Sequence, residues 1–246
     1  MEWKPISGVC DSVKSYCAQF NASDEAGLRG LKGEAGCLFL ADYILGRIAP
    51  PQNGRVLDFG CGDGRVLAAV RHLRPDLTCV GIDFAEKLIA QAQAENAETP
   101  GLAFHVRDLL KDELALGEFD RIYSFSVIQY FSPPRFRSLN RALRSGLHAK
   151  GEVFHLSIPD LSKRVVLFQD DYLNHQARSP LAAAWRVMLL TLVDTKRRLT
   201  DDRGYGDSLF HDAAELAALA GPEYSAHILR PSDSWYRFDL QLVPQA

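Results

Sequence analysis

The sequence has no uninterrupted apolar run near the ~20 residues that would span a bilayer, and it holds no C-x-x-C pair, internal repeat or low-complexity tract. These absences argue against a membrane span, a paired-cysteine metal or redox motif, and a solenoid. The five cysteines, Cys10, Cys17, Cys37, Cys61 and Cys79, are odd in number and confined to the first third of the chain. That usage fits a reducing compartment better than a disulfide scaffold. The opening M-E-W-K-P-I-S-G lacks the basic-then-apolar profile of a secretory signal, so the expected location is cytoplasmic. An excess of basic charge is lacking too: the net charge of −3 over 246 residues gives no footprint of a general nucleic-acid binder.

What is present is an alternation of short β-branched or aromatic runs with helical patterns from residue 55 onward, the mark of parallel strands joined by crossover helices. Strands are predicted at 55–59, 78–83, 102–106, 119–124 and 152–158, with two more near 224–229 and 235–243. Helices are predicted at 34–48, 64–73, 85–96, 134–147 and 212–220. The segment 160–206 interrupts the alternation with helical patterns at 165–175 and 181–199. It follows the fifth strand and therefore sits at the carboxyl edge of the sheet, where open α/β folds bind ligands.

The first strand runs into V-L-D-F-G-C-G-D-G-R, residues 56–65. Gly60, Gly62 and Gly64 remove the Cβ atoms that would block a tight strand-to-helix turn, so backbone N–H groups can approach a ligand. Cys61 supplies the small side chain such a loop wants. A dinucleotide loop spaces its glycines G-x-G-x-x-G; here the third glycine comes one residue early. Asp58 sits just before the loop, where a carboxylate repels pyrophosphate and welcomes an ammonium.

Acid-x-G-x-G-x-G resembles the motif of class I S-adenosylmethionine-dependent methyltransferases, and the likeness runs over roughly residues 55–243. It implies an α/β, Rossmann-like, doubly wound, seven-stranded and mostly parallel sheet with an antiparallel C-terminal hairpin. A single domain, 1–246, is expected: an N-terminal helical cap (1–51), a cofactor-binding core (52–159), a helical acceptor lid (160–206) and a C-terminal helix and hairpin (207–246). The implied cofactor is S-adenosylmethionine. Asp83, ending the second strand in V-G-I-D-F, would accept both ribose hydroxyls, and Phe84 would pack on adenine or join the core. Asp108, after the third strand in H-V-R-D-L-L, would accept the adenine amino group, with Leu109 offering its backbone N–H. Ser124, Phe125 and Ser126 would lie near the sulfonium, and Gln129 and Tyr130 would face the acceptor. In the cap, Tyr16, Phe20 and Lys32 would approach the ligand.

The candidate catalytic residues are Asp160, His211 and Tyr130, with His175 a further possible base; Asp160 equally suits a helix cap, and mid-strand His155 reads as a buried, satisfied histidine. No metal is expected, because the fourth-strand exit offers serines, glutamine and tyrosine where a chelating carboxylate would stand. The ending S-W-Y-R-F-D-L-Q-L-V, with S-I-P-D and a basic S-K-R, resembles bacterial surface-polysaccharide and sugar methyltransferases. A small-molecule or glycan acceptor follows, most readily by O-methylation of a sugar precursor. Ser157 departs from that pattern, which often has glycine there. Natural-product O- or N-methylation, an NAD-dependent oxidoreductase and a non-catalytic cofactor-binding protein are the alternatives. A nucleic-acid acceptor is not expected, since no N-P-P-[YF] or D-P-P-[YF] follows the fourth strand. Helix 181–199 carries Trp185, Met188, Leu189 and Leu192 with Lys196, Arg197 and Arg198 at its end. It reads as a lid packed on the core or on a second subunit of a homodimer, or as a membrane-surface contact.

Overall fold

The computed structural model describes residues 33–163, 184–185, 188–189, 191–192, 195, 200, 204–205, 208–229 and 237–245. Tyr16, Phe20, Lys32, His175 and the helix expected at 165–175 lie outside them. In chain order the elements are α1 (Glu34–Ile48), β1 (Arg55–Phe59), α2 (Arg65–Leu73), β2 (Thr78–Asp83), α3 (Glu86–Glu95), β3 (Leu102–Val106) and β4 (Phe119–Phe125). A 3-10 turn (Ile128–Tyr130), α4 (Pro133–Arg144) and β5 (Leu147–Pro159) follow. A second 3-10 turn (Leu161–Lys163), the two-residue strands β6 (Gly204–Tyr205) and β7 (Ser208–Leu209), α5 (Ala213–Leu219), β8 (Tyr224–Leu229) and β9 (Arg237–Pro244) complete the order.

Seven strands form one sheet in the order β3-β2-β1-β4-β5-β9-β8. β1 to β5 pair in parallel, and β9 runs antiparallel to both β5 and β8. The order reverses between β1 and β4, so a crevice opens at the carboxyl ends of those two strands. Central strands carry continuous apolar runs because helices cover both faces. On one face α1 places Ala41, Ile44 and Ile48 over Val56, Leu67 and Val70. On the other, Phe136, Leu139 and Leu143 of α4 join Leu216 of α5 over Leu57 and Ile122.

Several element ends shift by one or two residues from the sequence reading, and the largest difference lies between α4 and β5. α4 stops at Arg144 and β5 starts at Leu147, which pairs with Phe119. Leu147 is buried in the strand, and its apolar spacing fits the end of the helix equally well, so spacing alone could not assign it. The expected lid also contains β6 near its end, and its partner β7 falls just beyond residue 206. Ala184, Trp185, Met188, Leu189, Thr191, Leu192 and Thr195 are helical as expected, and Trp185, Met188 and Leu192 are exposed. Among the described residues no helix is long and apolar enough to cross a membrane.

β5 contains a bulge between His155 and Ile158. Ser157 sits there with φ +61°, in the left-handed region that favours glycine. The extra residue reverses the side-chain alternation: Phe154 and Leu156 face α1, yet Ile158 joins Val153 on the α4 face.

Candidate functional site

The glycine loop adopts the geometry its composition demands, with φ +80° at Gly60, +55° at Gly62 and +77° at Gly64. A Cβ on Gly60 would lie 2.6 Å from Val127 Cγ2, so the exits of β1 and β4 touch at the crevice. A Cβ on Gly62, in contrast, would meet no atom within 4 Å. Gly60 and Cys61 both donate their N–H groups to the Ile82 carbonyl, at 2.8 and 3.1 Å, which pins the loop to β2. Cys61 is buried, and burial holds its thiol well above the ordinary range, with Asp58 and Asp83 adding to the effect. It is a packing residue, not a reactive thiolate.

Asp58 lies beneath the loop, and the Tyr123 hydroxyl donates to its Oδ2 at 3.0 Å. Burial pushes its carboxyl up to about 7; the Tyr123 bond opposes that shift and the Asp83 charge reinforces it. Among the described residues no Lys, Arg or His forms an ion pair with Asp58. Asp83 is also buried; its Oδ2 accepts the Gly62 N–H at 3.0 Å and its Oδ1 the Ala85 N–H at 2.9 Å. Burial raises its pKa and the N–H donors lower it. A carboxylate offers about four lone-pair sites, so these bonds orient Asp83 and leave acceptor capacity. Phe84 beside it is half-buried. Asp108 follows β3, accepts the Leu110 N–H at 3.1 Å and pairs with Lys111 Nζ at 2.6 Å. The Leu109 side chain is buried in the core, which leaves only its backbone to face a ligand.

A buried carboxylate needing a cation, a second oriented by the loop itself, and a glycine where a Cβ would meet nothing together fit the methionine and ribose parts of S-adenosylmethionine. They fit a pyrophosphate poorly, because Asp58 would repel it.

Ser124 does not face this crevice. It is fully buried, and its Oγ lies 2.9 Å from His155 Nδ1. His155 Nε2 lies 2.8 Å from Asn140 Oδ1, and the Phe136 ring packs edge-on against the imidazole. Burial pulls the His155 pKa down to about 3, so the ring is neutral. Nε2 then donates to Asn140, and Nδ1 accepts the Ser124 proton. Beyond the end of β4 the chain turns at Ser126, φ +56°, and brings Val127 against the glycine loop.

Asp160 and His211 are brought together by a parallel β-bridge. Asp160 is 2% exposed, and its Oδ1 takes the Ser162 N–H and hydroxyl at 2.9 and 2.6 Å, capping the 3-10 turn. His211 is fully buried with Nε2 3.1 Å from the Ile128 carbonyl. Tyr130 keeps a partly exposed surface on its own 3-10 turn. No group of three or more His, Cys, Asp or Glu side chains that could hold a metal occurs among the described residues.

Sequence reasoning missed a polar network between β9, the β5 bulge and α1. Asp239 of β9 is fully buried; its Oδ2 accepts the Tyr43 hydroxyl at 2.7 Å and pairs with Arg47 Nε at 3.2 Å, and its Oδ1 accepts the Ser157 N–H at 2.8 Å. Two residues earlier, Arg237 donates to the Ser157 carbonyl at 2.6 Å and approaches Gln129 Oε1 at 3.5 Å. Both polar groups of the strained Ser157 are thus held by β9. The signal was a charged pair at i and i+2 in an apolar strand, which puts both side chains on one face.

Residues 56–151 match the family model of a methyltransferase domain. A carboxy-S-adenosyl-L-methionine synthase from Campylobacter concisus is 28% identical over 135 residues, 52% of this chain and 57% of that protein. A trans-aconitate 2-methyltransferase from an Acidovorax species is 26% identical over 170 residues, 68% of this chain and 59% of that one. The chain therefore spans less than two thirds of the length of these curated relatives. The solved magnesium protoporphyrin IX methyltransferase from Synechocystis superposes with a TM-score of 0.58 at 14% identity, covering 96% of this chain and 98% of that one. The strand order agrees with these likenesses: the fold is the Rossmann-like methyltransferase fold, and residues 56–151 are similar to a methyltransferase domain.

Proposed function

We propose that the chain transfers a methyl group from S-adenosylmethionine to an oxygen of a small molecule. The observation that carries this reading is the buried Asp58 carboxylate under a glycine loop, a seat matched to an ammonium. Asp58 receives the α-ammonium, Asp83 the ribose hydroxyls and Asp108 the adenine amino group, with Leu109 donating its N–H and Phe84 packing on the ring. The backbone of Gly60, Cys61, Gly62 and Gly64 wraps the methionine part. When bound, the cofactor supplies an electrophilic methyl, and the protein's work is to align an acceptor with it in a dry crevice. Tyr130 lines the acceptor side, while Asp160 and His211 frame its floor, since both are buried and engaged with the backbone.

Two acceptor classes are supported. The likeness of the C-terminal sequence favours a sugar or glycan precursor. A carboxylic acid is the second reading, since a relative is named for trans-aconitate. Transfer of a tritiated methyl group to nucleotide sugars and to carboxylic acids, followed by mild alkali, separates the two. Methyl esters release volatile methanol and ethers retain the label; no label in either set contradicts the proposal. Chelator is expected to leave the rate unchanged, and loss of activity restored by Mg²⁺ would contradict the metal-free reading.

A further inference from the structure

We propose that Tyr123 is a positioning residue for the cofactor: its hydroxyl holds one oxygen of Asp58 and leaves the other to receive the cofactor's α-ammonium. This rests on the seat assigned to Asp58 above. Leu57 and Phe59 face the α4 side of the sheet and Val56 the α1 side, so strand alternation puts Asp58 on the α1 side with Val56. Its two cross-strand neighbours differ. On β4 it stands opposite Tyr123, whose hydroxyl reaches Asp58 Oδ2 at 3.0 Å. On β2 it stands opposite Gly81, where a Cβ would lie 2.6 Å from the Phe104 ring and 2.8 Å from Cys61 Sγ. A ring and a thiol thus fill the β2 side, and Tyr123 is the one side chain that hydrogen-bonds to Asp58 among the described residues.

The Tyr123 ring is fully buried in the same apolar cluster as Val56, Cys79 and Leu156, so the hydroxyl is fixed in place. A phenylalanine would fill that space alike; the hydroxyl adds a donor, and burial holds it far above the range in which it could lose its proton. The other groups around Asp58 do not take this part. Burial disfavours the Asp58 charge, and Asp83 at the end of β2 adds repulsion. Burial also keeps the thiols of Cys61 and Cys79 neutral. The α1 helix covers this face with Ala41, Ile44 and the neutral thiol of Cys37, while its Tyr43 and Arg47 turn to Asp239; β5 adds Phe154 and Leu156. A donor on a carboxylate favours the ionised form, so Tyr123 alone opposes burial and Asp83. Without the hydroxyl, unliganded Asp58 holds its proton more tightly, and a binding ammonium must expel it at greater cost. Where Asp58 is already ionised in the free protein, the hydrogen bond is present before and after binding and its contribution cancels.

The test is calorimetric titration of the wild type and Tyr123→Phe with S-adenosylhomocysteine at two pH values, read as the ratio of the two affinities so that titration of the ligand's own ammonium cancels. Tyr123→Phe is expected to bind about tenfold more weakly at about pH 6 and within about twofold of the wild type at about pH 8.5. In an Asp58→Asn background the same change is expected to leave the ratio near one at both. Tyr123→Met, which also lacks the hydroxyl, is the second variant should Tyr123→Phe not fold. Denaturation of the unliganded proteins gives a readout that needs no cofactor: the loss of stability with rising pH is expected to extend about one pH unit higher in the variant. A loss of affinity equal at both pH values, no loss at either, or an unchanged stability profile would overturn the role of Tyr123. A wild-type protein that binds no S-adenosylhomocysteine would instead overturn the reading beneath it.

Discussion

Gly64→Ala is expected to lower stability by about 2–5 kcal/mol, enough to deplete the folded protein. Gly64 is the N-cap of α2 at φ +77°, where an L side chain is strained. The added methyl would also stand 2.5 Å from the Phe104 ring and 2.9 Å from the Ala92 Cβ. Phe104 and Ala92 are buried core residues of β3 and α3, so neither moves without opening the core. Gly62→Ala is the control: it shares the positive φ but meets no atom within 4 Å, so only backbone strain of about 1–2 kcal/mol remains. Chemical denaturation of the two variants measures the difference; equal losses would show that the close packing behind Gly64 is not present.

The second large effect concerns Asp58. Its carboxyl, held near 7 by burial, binds a proton in the folded, cofactor-free protein that the unfolded chain releases near pH 4. Between those values the native state binds more protons than the unfolded one. Stability of the free protein therefore falls as pH rises from about 4 to about 7 and then levels. An ammonium beside Asp58 favours the ionised form and reverses the penalty, so cofactor binding expels this proton. Affinity for S-adenosylmethionine is expected to rise roughly tenfold from about pH 6 to about pH 7.5. Asp58→Asn should weaken binding by about two orders of magnitude and flatten that pH dependence. Calorimetry in buffers of different ionisation enthalpy counts the proton; an affinity flat across this range in the wild type would contradict the role of Asp58.

Much of this was legible in sequence for a physical reason. β1, β2, β3 and β8 are single apolar runs closed by turn residues, and their boundaries agree to the residue with the pattern that predicts them. The three acids Asp58, Asp83 and Asp108 are spaced by whole strand-helix units, so parallel topology alone sets them along one edge. Other features depend on contacts that no local pattern encodes. The Ser157 bulge reverses which face the end of β5 presents, and only the pairing with β9 reveals it. Asp239 meets Tyr43 across 196 positions, and Arg237 meets Gln129 across 108. Ser124 illustrates the remaining difficulty: it stands at the expected place in β4, but its hydroxyl turns to His155 because a buried neutral histidine needs a donor.

The most direct test is calorimetric titration of the whole protein with S-adenosylmethionine, S-adenosylhomocysteine and NAD, with Asp83→Ala alongside. Asp83 accepts the Gly62 N–H, so the variant removes both the ribose acceptor and the brace of the loop. The account predicts binding of the first two ligands, none of NAD, and loss of binding in the variant. Binding of NAD in preference to S-adenosylmethionine, or an Asp83→Ala protein that binds like the wild type, would contradict it.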